Sequence, residues 1–182
     1  MREEVPLERA AIDLAGTPDR SAAWLLLADG AVARIEATGP PRAFGRVAGG
    51  VAIAGDIERL VVATASTLEL RAVDGSSSHA VPLSADRVLD VALSANGQLV
   101  ALGLRSGTVE IRSADDGSLL ARLVGHRERV ASVAITEHGI WSASWDGDVR
   151  VWDRAALALP AAEALAAAEA RFGLGLDDVT RR

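Results

Sequence analysis

The sequence predicts an all-β protein made of four repeated antiparallel units, and three observations carry that prediction. The first is a period. Ala31–Glu36, Thr67–Ala72, Thr108–Ser113 and Asp148–Asp153 align with one another, with starts 36, 41 and 40 residues apart. Self-similarity at a spacing of roughly 40 residues marks stacked supersecondary units. The second is alternation, because side chains of a strand point to opposite faces in turn. Val32, Leu68, Val109 and Val149 share one slot; two positions on stand Arg34, Leu70, Ile111 and Val151, of which only Arg34 is not apolar. The third is punctuation by Asp-Gly, Asn-Gly and Ser-Gly pairs, where glycine accepts the positive φ of a tight hairpin turn.

Taken in order, the first unit has strands at Ala11–Ala15, Ala22–Leu27 and Ala31–Glu36, turning at Asp29-Gly30. The second has Gly50–Ala54, Leu60–Ala65 and Thr67–Ala72, turning at Ser66 without a glycine. The third has Val88–Ser94, Leu99–Leu104 and Thr108–Ser113, with turns at Asn96-Gly97 and Ser106-Gly107. The fourth has Val130–Thr136, Ile140–Trp145 and Asp148–Trp152, separated by His138-Gly139 and Asp146-Gly147. An outer strand follows each of the first three: Pro41–Val47, His79–Leu83 and Leu119–Val124, with Asp74-Gly75 and Asp116-Gly117 leading into two of them.

The last triplet has no follower, whereas the N-terminus has an orphan. Glu3–Glu8 is similar to His79–Leu83, and a proline in each fits an edge strand, where a missing N–H faces outward. The expectation is that residues 3–8 complete the last unit, in the same chain or in another. Residues 1–153 then form the repeat domain and 154–182 a helical tail. That short C-terminal helix runs from Pro160 to about Phe172, with Leu165, Ala168 and Phe172 on one face. It either packs on the repeat domain or docks a partner.

The fourth unit is the most specific. Gly125-His126 precedes its first strand, Asp146 stands in its second turn, and it ends on Trp152-Asp153. In these residues and in the period, the chain resembles the WD-repeat β-propeller family. The motif match covers residues 124–153; the period covers nearly all of 2–153. The resemblance implies four-stranded blades around an axis, and a buried tetrad in the last blade: Asp146 holds His126, His126 reaches Ser142 (or Ser144), and Ser142 reaches the Trp152 indole. The tetrad's role is to satisfy buried polar groups, each of which costs about 1–3 kcal/mol if unpaired. The other blades lack it. Ile35-Glu36, Arg71-Ala72 and Arg112-Ser113 replace Trp-Asp, so those blades are expected to cohere by apolar packing alone.

Four blades of such a family are half of an eight-bladed ring, and their end faces would be apolar and bare. The expected solution is a homodimer, with a four-bladed monomer and a hetero-complex that completes the propeller as alternatives. Trp24 and Trp141 are read as wedges between blades. Trp145, with Arg127, Glu128 and Arg129 in the loop at the same end, is the candidate partner-binding patch, since Trp and Arg dominate interface hot spots.

Composition excludes several functions. The chain has 182 residues, 49% hydrophobic, with a net charge of −6; all 19 basic residues are arginine. An acidic chain with 3% aromatics and no Tyr suits neither a phosphate backbone nor stacked bases. No apolar run is long enough to cross a membrane, and the charged N-terminus is not a secretory signal, so the expected compartment is the cytoplasm. Arginine-only basicity with abundant Ala, Gly and Val points to a bacterial source. No cysteine, zinc spacing, calcium loop or phosphate loop is present, so neither metal nor cofactor is expected. His126, Ser142 and Asp146 are residue types of a hydrolase triad, but no Gly-x-Ser-x-Gly elbow accompanies them. The reading is a non-enzymatic scaffold that binds a protein or peptide through its top-face loops. The alternative is a structural subunit that completes a ring with another chain in a bacterial signalling or defence assembly.

Overall fold

The structure, a computed structural model, describes residues 9–36, 38–83 and 86–153. Every regular element there is a strand. The first sheet contains β1 (Ala11–Gly16), β2 (Ala22–Leu27), β3 (Ala31–Glu36) and β4 (Arg42–Arg46). The second contains β5 (Gly50–Gly55), β6 (Arg59–Thr64), β7 (Thr67–Ala72) and β8 (Ser78–Pro82), and the third β9 (Val88–Leu93), β10 (Leu99–Leu104), β11 (Thr108–Ser113) and β12 (Leu119–Val124). The fourth contains β13 (Val130–Thr136), β14 (Gly139–Ser144) and β15 (Val149–Trp152). Each is an antiparallel meander in chain order, and together they are four blades of a β-propeller. The fourth blade has three strands among the described residues. Its expected completing strand, Glu3–Glu8, and the expected helix at 160–172 lie outside them. By compactness the chain divides into Met1–Trp152 and Asp153–Arg182.

The turns form for local reasons. The Asp29 and Asp74 side chains accept the backbone N–H two residues on, from Ala31 (3.0 Å) and Ser76 (2.8 Å). That bond lets the following glycine, Gly30 or Gly75, take φ near +80°. The glycine-free turn at Ser66 is held instead by Thr64, whose Oγ1 accepts from the N–H groups of Ser66 and Thr67.

Blades stack through their first strands: β1 packs on β5, β5 on β9 and β9 on β13. Each blade therefore has a forward face toward the next blade and a backward face toward the preceding one. One apolar cluster joins the first two blades, built from Trp24, Leu26 and Val32 against Ile53, Leu60 and Val62. A second joins the next pair, from Ala52, Val61, Leu68 and Leu70 against Val91, Val100 and Leu102. Burying a side chain of this size stabilises by about 1.5–3 kcal/mol, so alternation decides which face turns where. Trp24 wedges between blades as expected, with its indole N–H donated to the Asp56 carbonyl at 3.0 Å. Arg34 is the odd member of its slot because its guanidinium lies 5.6 Å from the Trp24 ring centroid.

Two junctions carry a further clamp. Asp13 accepts the N–H of Ile53 on the next blade at 2.8 Å and that of its own neighbour Leu14 at 2.8 Å. Asp90 does the same with Val133 (2.7 Å) and Val91 (2.9 Å). Burial pushes the Asp90 carboxyl up from its ordinary value, against the pull of those donors.

Apolar packing is not the sole cement of the motif-poor blades, contrary to the expectation. In the third, Glu110 and Arg112 are both buried, and Glu110 Oε2 accepts from Arg112 Nε (3.0 Å) and Nη2 (2.8 Å). Arg112 also donates to the Gly117 carbonyl at 2.9 Å, and Arg122 Nε to Glu110 Oε1 at 3.1 Å. In the second blade, Glu69 and Arg71 pair in the same way. Arg71, Arg112 and Trp152 hold one register position, opposite Leu60, Val100 and Ile140. An ion pair thus occupies the place that the tryptophan takes in the last blade.

Candidate functional site

The fourth blade brings the expected polar residues together. His126 lies just before β13, Ser142 at the centre of β14, Asp146 in the turn after it, and Trp152 at the end of β15. His126 Nδ1 is 3.0 Å from Asp146 Oδ2 and 3.2 Å from Oδ1, so it donates to the carboxylate. His126 Nε2 is 2.8 Å from Ser142 Oγ. With the ring proton on Nδ1, Nε2 accepts the serine hydroxyl proton. Trp152 Nε1–H donates to the same Ser142 Oγ at 2.8 Å. Ser144 takes another role, donating to the Glu128 carbonyl at 3.0 Å and accepting from the Asp146 N–H at 3.1 Å.

Chemically this chain of bonds satisfies its own members. The Ser142 residue is 1% exposed and the His126 side chain 0%. Ser142 thus donates its hydroxyl to the imidazole, accepts from the indole and is closed off from solvent.

Asp146 does more than hold the imidazole. It also accepts the N–H groups of Arg127 (2.9 Å) and Asp148 (3.0 Å). Burial alone would push its carboxyl up; these two N–H groups, His126 and Ser144 outweigh that and hold it well below the ordinary 3.8. The sign follows. The unfolded chain binds this proton first as pH falls, so the stability supplied by Asp146 is full above about pH 4 and lost as pH drops toward the depressed folded value. Denaturant unfolding at several pH values is expected to show less acid-linked loss between about pH 4 and pH 2 in Asp146→Asn than in the parent chain. Parallel curves would refute this role.

The expected partner-binding residues also converge. Trp145 follows β14 and is 67% exposed, one of the most exposed large apolar side chains among the described residues. The Arg129 guanidinium sits 3.5 Å from its ring centroid, and the Trp145 N–H donates to the Arg129 carbonyl at 3.1 Å. Arg127 is tied by its backbone to Asp146, and Glu128 by its carbonyl to Ser144. The tetrad's turn thereby positions the surface loop. Sequence reasoning passed over Gly107 as a simple turn residue. It has φ +89°, and an added Cβ would stand 2.7 Å from the His126 oxygen and 2.8 Å from that of Glu128. The third blade's turn seats directly against the loop, which no local pattern signals.

An open groove of about 510 Å³ along the second blade is lined by Arg59, Arg71, Asp74, His79 and Asp115. Its charges are engaged with neighbours: Arg59 with Asp115, Arg71 with Glu69, and His79 Nε2 with the Asp115 carbonyl at 2.9 Å. No group of three or more His, Asp or Glu side chains converges on a metal-sized site among the described residues, and no described helix is long and apolar enough to cross a membrane.

Comparison with known proteins agrees with this geometry. Residues 117–153 match the family described as WD domain, G-beta repeat. The WD repeat-containing protein pop2 of Schizosaccharomyces pombe is 50% identical over 48 residues, 26% of this chain and 7% of that protein. The uncharacterized WD repeat-containing protein sll1491 of Synechocystis sp. is 35% identical over 69 residues, 36% of this chain and 20% of that protein. The chain thus spans a small part of the curated relatives it matches. Among solved structures, U3-55K superimposes with a TM-score of 0.69 at 18% identity, over 81% of this chain and 50% of that one. The computationally designed Ika4 protein superimposes with a TM-score of 0.66 at 21% identity, over 84% of this chain and 99% of that one. Residues 117–153 match the WD40 repeat family, and the chain that carries them has the fold of the WD40 propellers.

Proposed function

We propose that this chain is a non-enzymatic, cytoplasmic interaction scaffold that binds a protein or peptide through the loop surface around Trp145, Arg127, Glu128 and Arg129. The observation that carries the reading is the exposed Trp145 with Arg129 stacked on it at 3.5 Å. An indole whose one face is capped by a guanidinium offers a partner an apolar edge and several N–H donors already ordered. Little side-chain entropy is then left to lose on binding. The rigid blade beneath displays the loop and supplies no chemistry of its own.

The test compares tagged parent chain with Trp145→Ala/Arg129→Ala as bait, followed by cross-linking and mass spectrometry. The double variant is expected to lose the captured partner by at least tenfold while unfolding at the parent's temperature. An unchanged set of captured proteins would sink the reading.

A second reading is favoured by a different observation. Trp141 (40% exposed), Val149 (66%) and Val151 (53%) leave the forward face of the fourth blade bare. In this reading the chain is a structural subunit whose blades complete a ring with another chain, fastened by residues 3–8 as the outer strand of the last blade. Deleting residues 1–9 is then expected to abolish assembly and leave Trp145-dependent capture intact.

A further inference from the structure

The missing chain of that second reading has a recognisable chemistry. We propose that it is a second copy of this chain, joined so that the fourth blade of each copy packs on the first blade of the other in the manner of the internal second-to-third junction. The inference rests on the ring-completing reading and names its partner.

The register makes the end faces directly comparable with internal ones. On the forward faces, Trp24, Val61, Ala101 and Trp141 hold one position, opposite Arg34, Leu70, Ile111 and Val151. The first three are 0–1% exposed. Val32, Leu68, Val109 and Val149 hold another; the first three are again 0–1% exposed, and Val149 is 66%. On the backward faces, Ile53, Val91 and Val133 are 1%, 5% and 7% exposed, while their counterpart Leu14 is 60% exposed, although its cross-strand neighbour Leu25 is buried. Among the described residues, the fourth blade therefore carries a forward face with no blade packed on it, and the first blade a partly open backward face. Among the described residues, the extensive strand packings run from each blade to the next, and none links the fourth blade to the first.

What selects a second copy is a two-blade period in the polar clamp. Asp13 and Asp90 lead the first and third blades; Ala52 and Ser132 stand in the same position on the second and fourth. At the first-to-second and third-to-fourth junctions, the carboxylate reaches forward to the N–H of Ile53 or Val133. At the second-to-third junction Ala52 offers no acceptor and none is needed, because Asp90 already holds the N–H of Val91. Leu14 is in the state of Val91, its N–H held by Asp13 at 2.8 Å. Ser132, like Ala52, reaches forward with no carboxylate. The two free faces thus match the two sides of the second-to-third junction, in which Leu68 and Val91, the counterparts of Val149 and Leu14, share one apolar cluster.

Size and closure agree with one partner of the same kind. A blade face of four strands about 4.8 Å apart and six residues at about 3.3 Å covers roughly 400 Å². Two such faces from the first blades and two three-stranded faces of roughly 300 Å² from the fourth blades give roughly 1,400 Å², within the range of a stable specific interface. Propellers close at four to eight blades, so two copies make the one multi-chain ring within that range. A two-fold pair also leaves no face to propagate a fibre.

The test is the mass of the full chain in solution at micromolar concentration, by sedimentation equilibrium. A dimer of twice 18.9 kDa is expected. Val149→Glu alone and Leu14→Lys alone, both at exposed positions, should each sediment as folded monomers, with circular dichroism unchanged and a melting temperature that no longer depends on protein concentration. Mixed in equal amounts, they should recover the dimer: one junction is then native and the other pairs Glu against Lys. A monomeric parent chain overturns the proposal, as does a dimer that survives Val149→Glu or a mixture that stays monomeric. A one-to-one complex with a different chain, blocked by Val149→Glu, would also overturn the second copy while leaving the ring-completing reading in place. Loss of the dimer without loss of Trp145-dependent capture leaves the scaffold reading untouched.

Discussion

Glu110→Ala is expected to destabilise the repeat domain by about 3–5 kcal/mol, the cost of stranding one partner of a buried ion pair. Glu110 is 1% exposed and Arg112 6%, with bonds of 3.0 and 2.8 Å between them. Removing the carboxylate leaves the Arg112 guanidinium buried with the Gly117 carbonyl, an uncharged acceptor, and frees Arg122 from its bond to Oε1. Most of that loss is the cost of leaving the Arg112 charge buried without its counter-ion. A second variant separates the two. Glu110→Leu with Arg112→Leu removes both charges and is expected to be near neutral, because apolar replacement of a whole buried pair often is. In a domain of this size the single variant lowers Tm by about 10 °C. A single-variant loss below about 1 kcal/mol would place the pair with exposed ones such as Arg9–Asp29, worth about 0–1 kcal/mol.

His126→Ala is expected to cost about 3 kcal/mol, through a cavity and through the polar groups it orphans. The imidazole bridges the Asp146 carboxylate and the Ser142 hydroxyl, and it fills space 6.3 Å from the Trp152 ring centroid. Trp152→Phe keeps most of that volume and loses one N–H donor, so its cost is expected near 1 kcal/mol. Denaturant titration of the two variants orders them; a larger loss for Trp152→Phe would show that the indole, not the imidazole, centres the network. His126→Ala should also loosen the Arg127–Arg129 loop, since Asp146 ties that loop to the blade.

Much of the fold was legible because strand alternation and turn chemistry are local. Seven of the fifteen strands among the described residues have the ends their alternation predicts, from Ala22–Leu27 to Val130–Thr136, and the rest shift by one residue at one or both ends. The four tetrad positions were legible as well, because a turn aspartate, a pre-strand histidine and a strand-end tryptophan carry the family's spacing. The buried pairs of the second and third blades were not. Glu110 and Arg112 alternate with apolar residues, and in sequence they read as the solvent side of a strand. Only the packing of a neighbouring blade against that side removes them from water.

By itself, then, the sequence determined what short-range physics controls: four meanders, their turns, the inward slots and the polar set of the last blade. The tertiary structure decided what depends on one blade meeting another. It buried Glu110 with Arg112 and set the aspartate clamp at alternate junctions. It also left Val149 and Leu14 in solvent while burying their counterparts, a difference no local pattern encodes, since the residues are equally apolar and only the presence of a next blade distinguishes them.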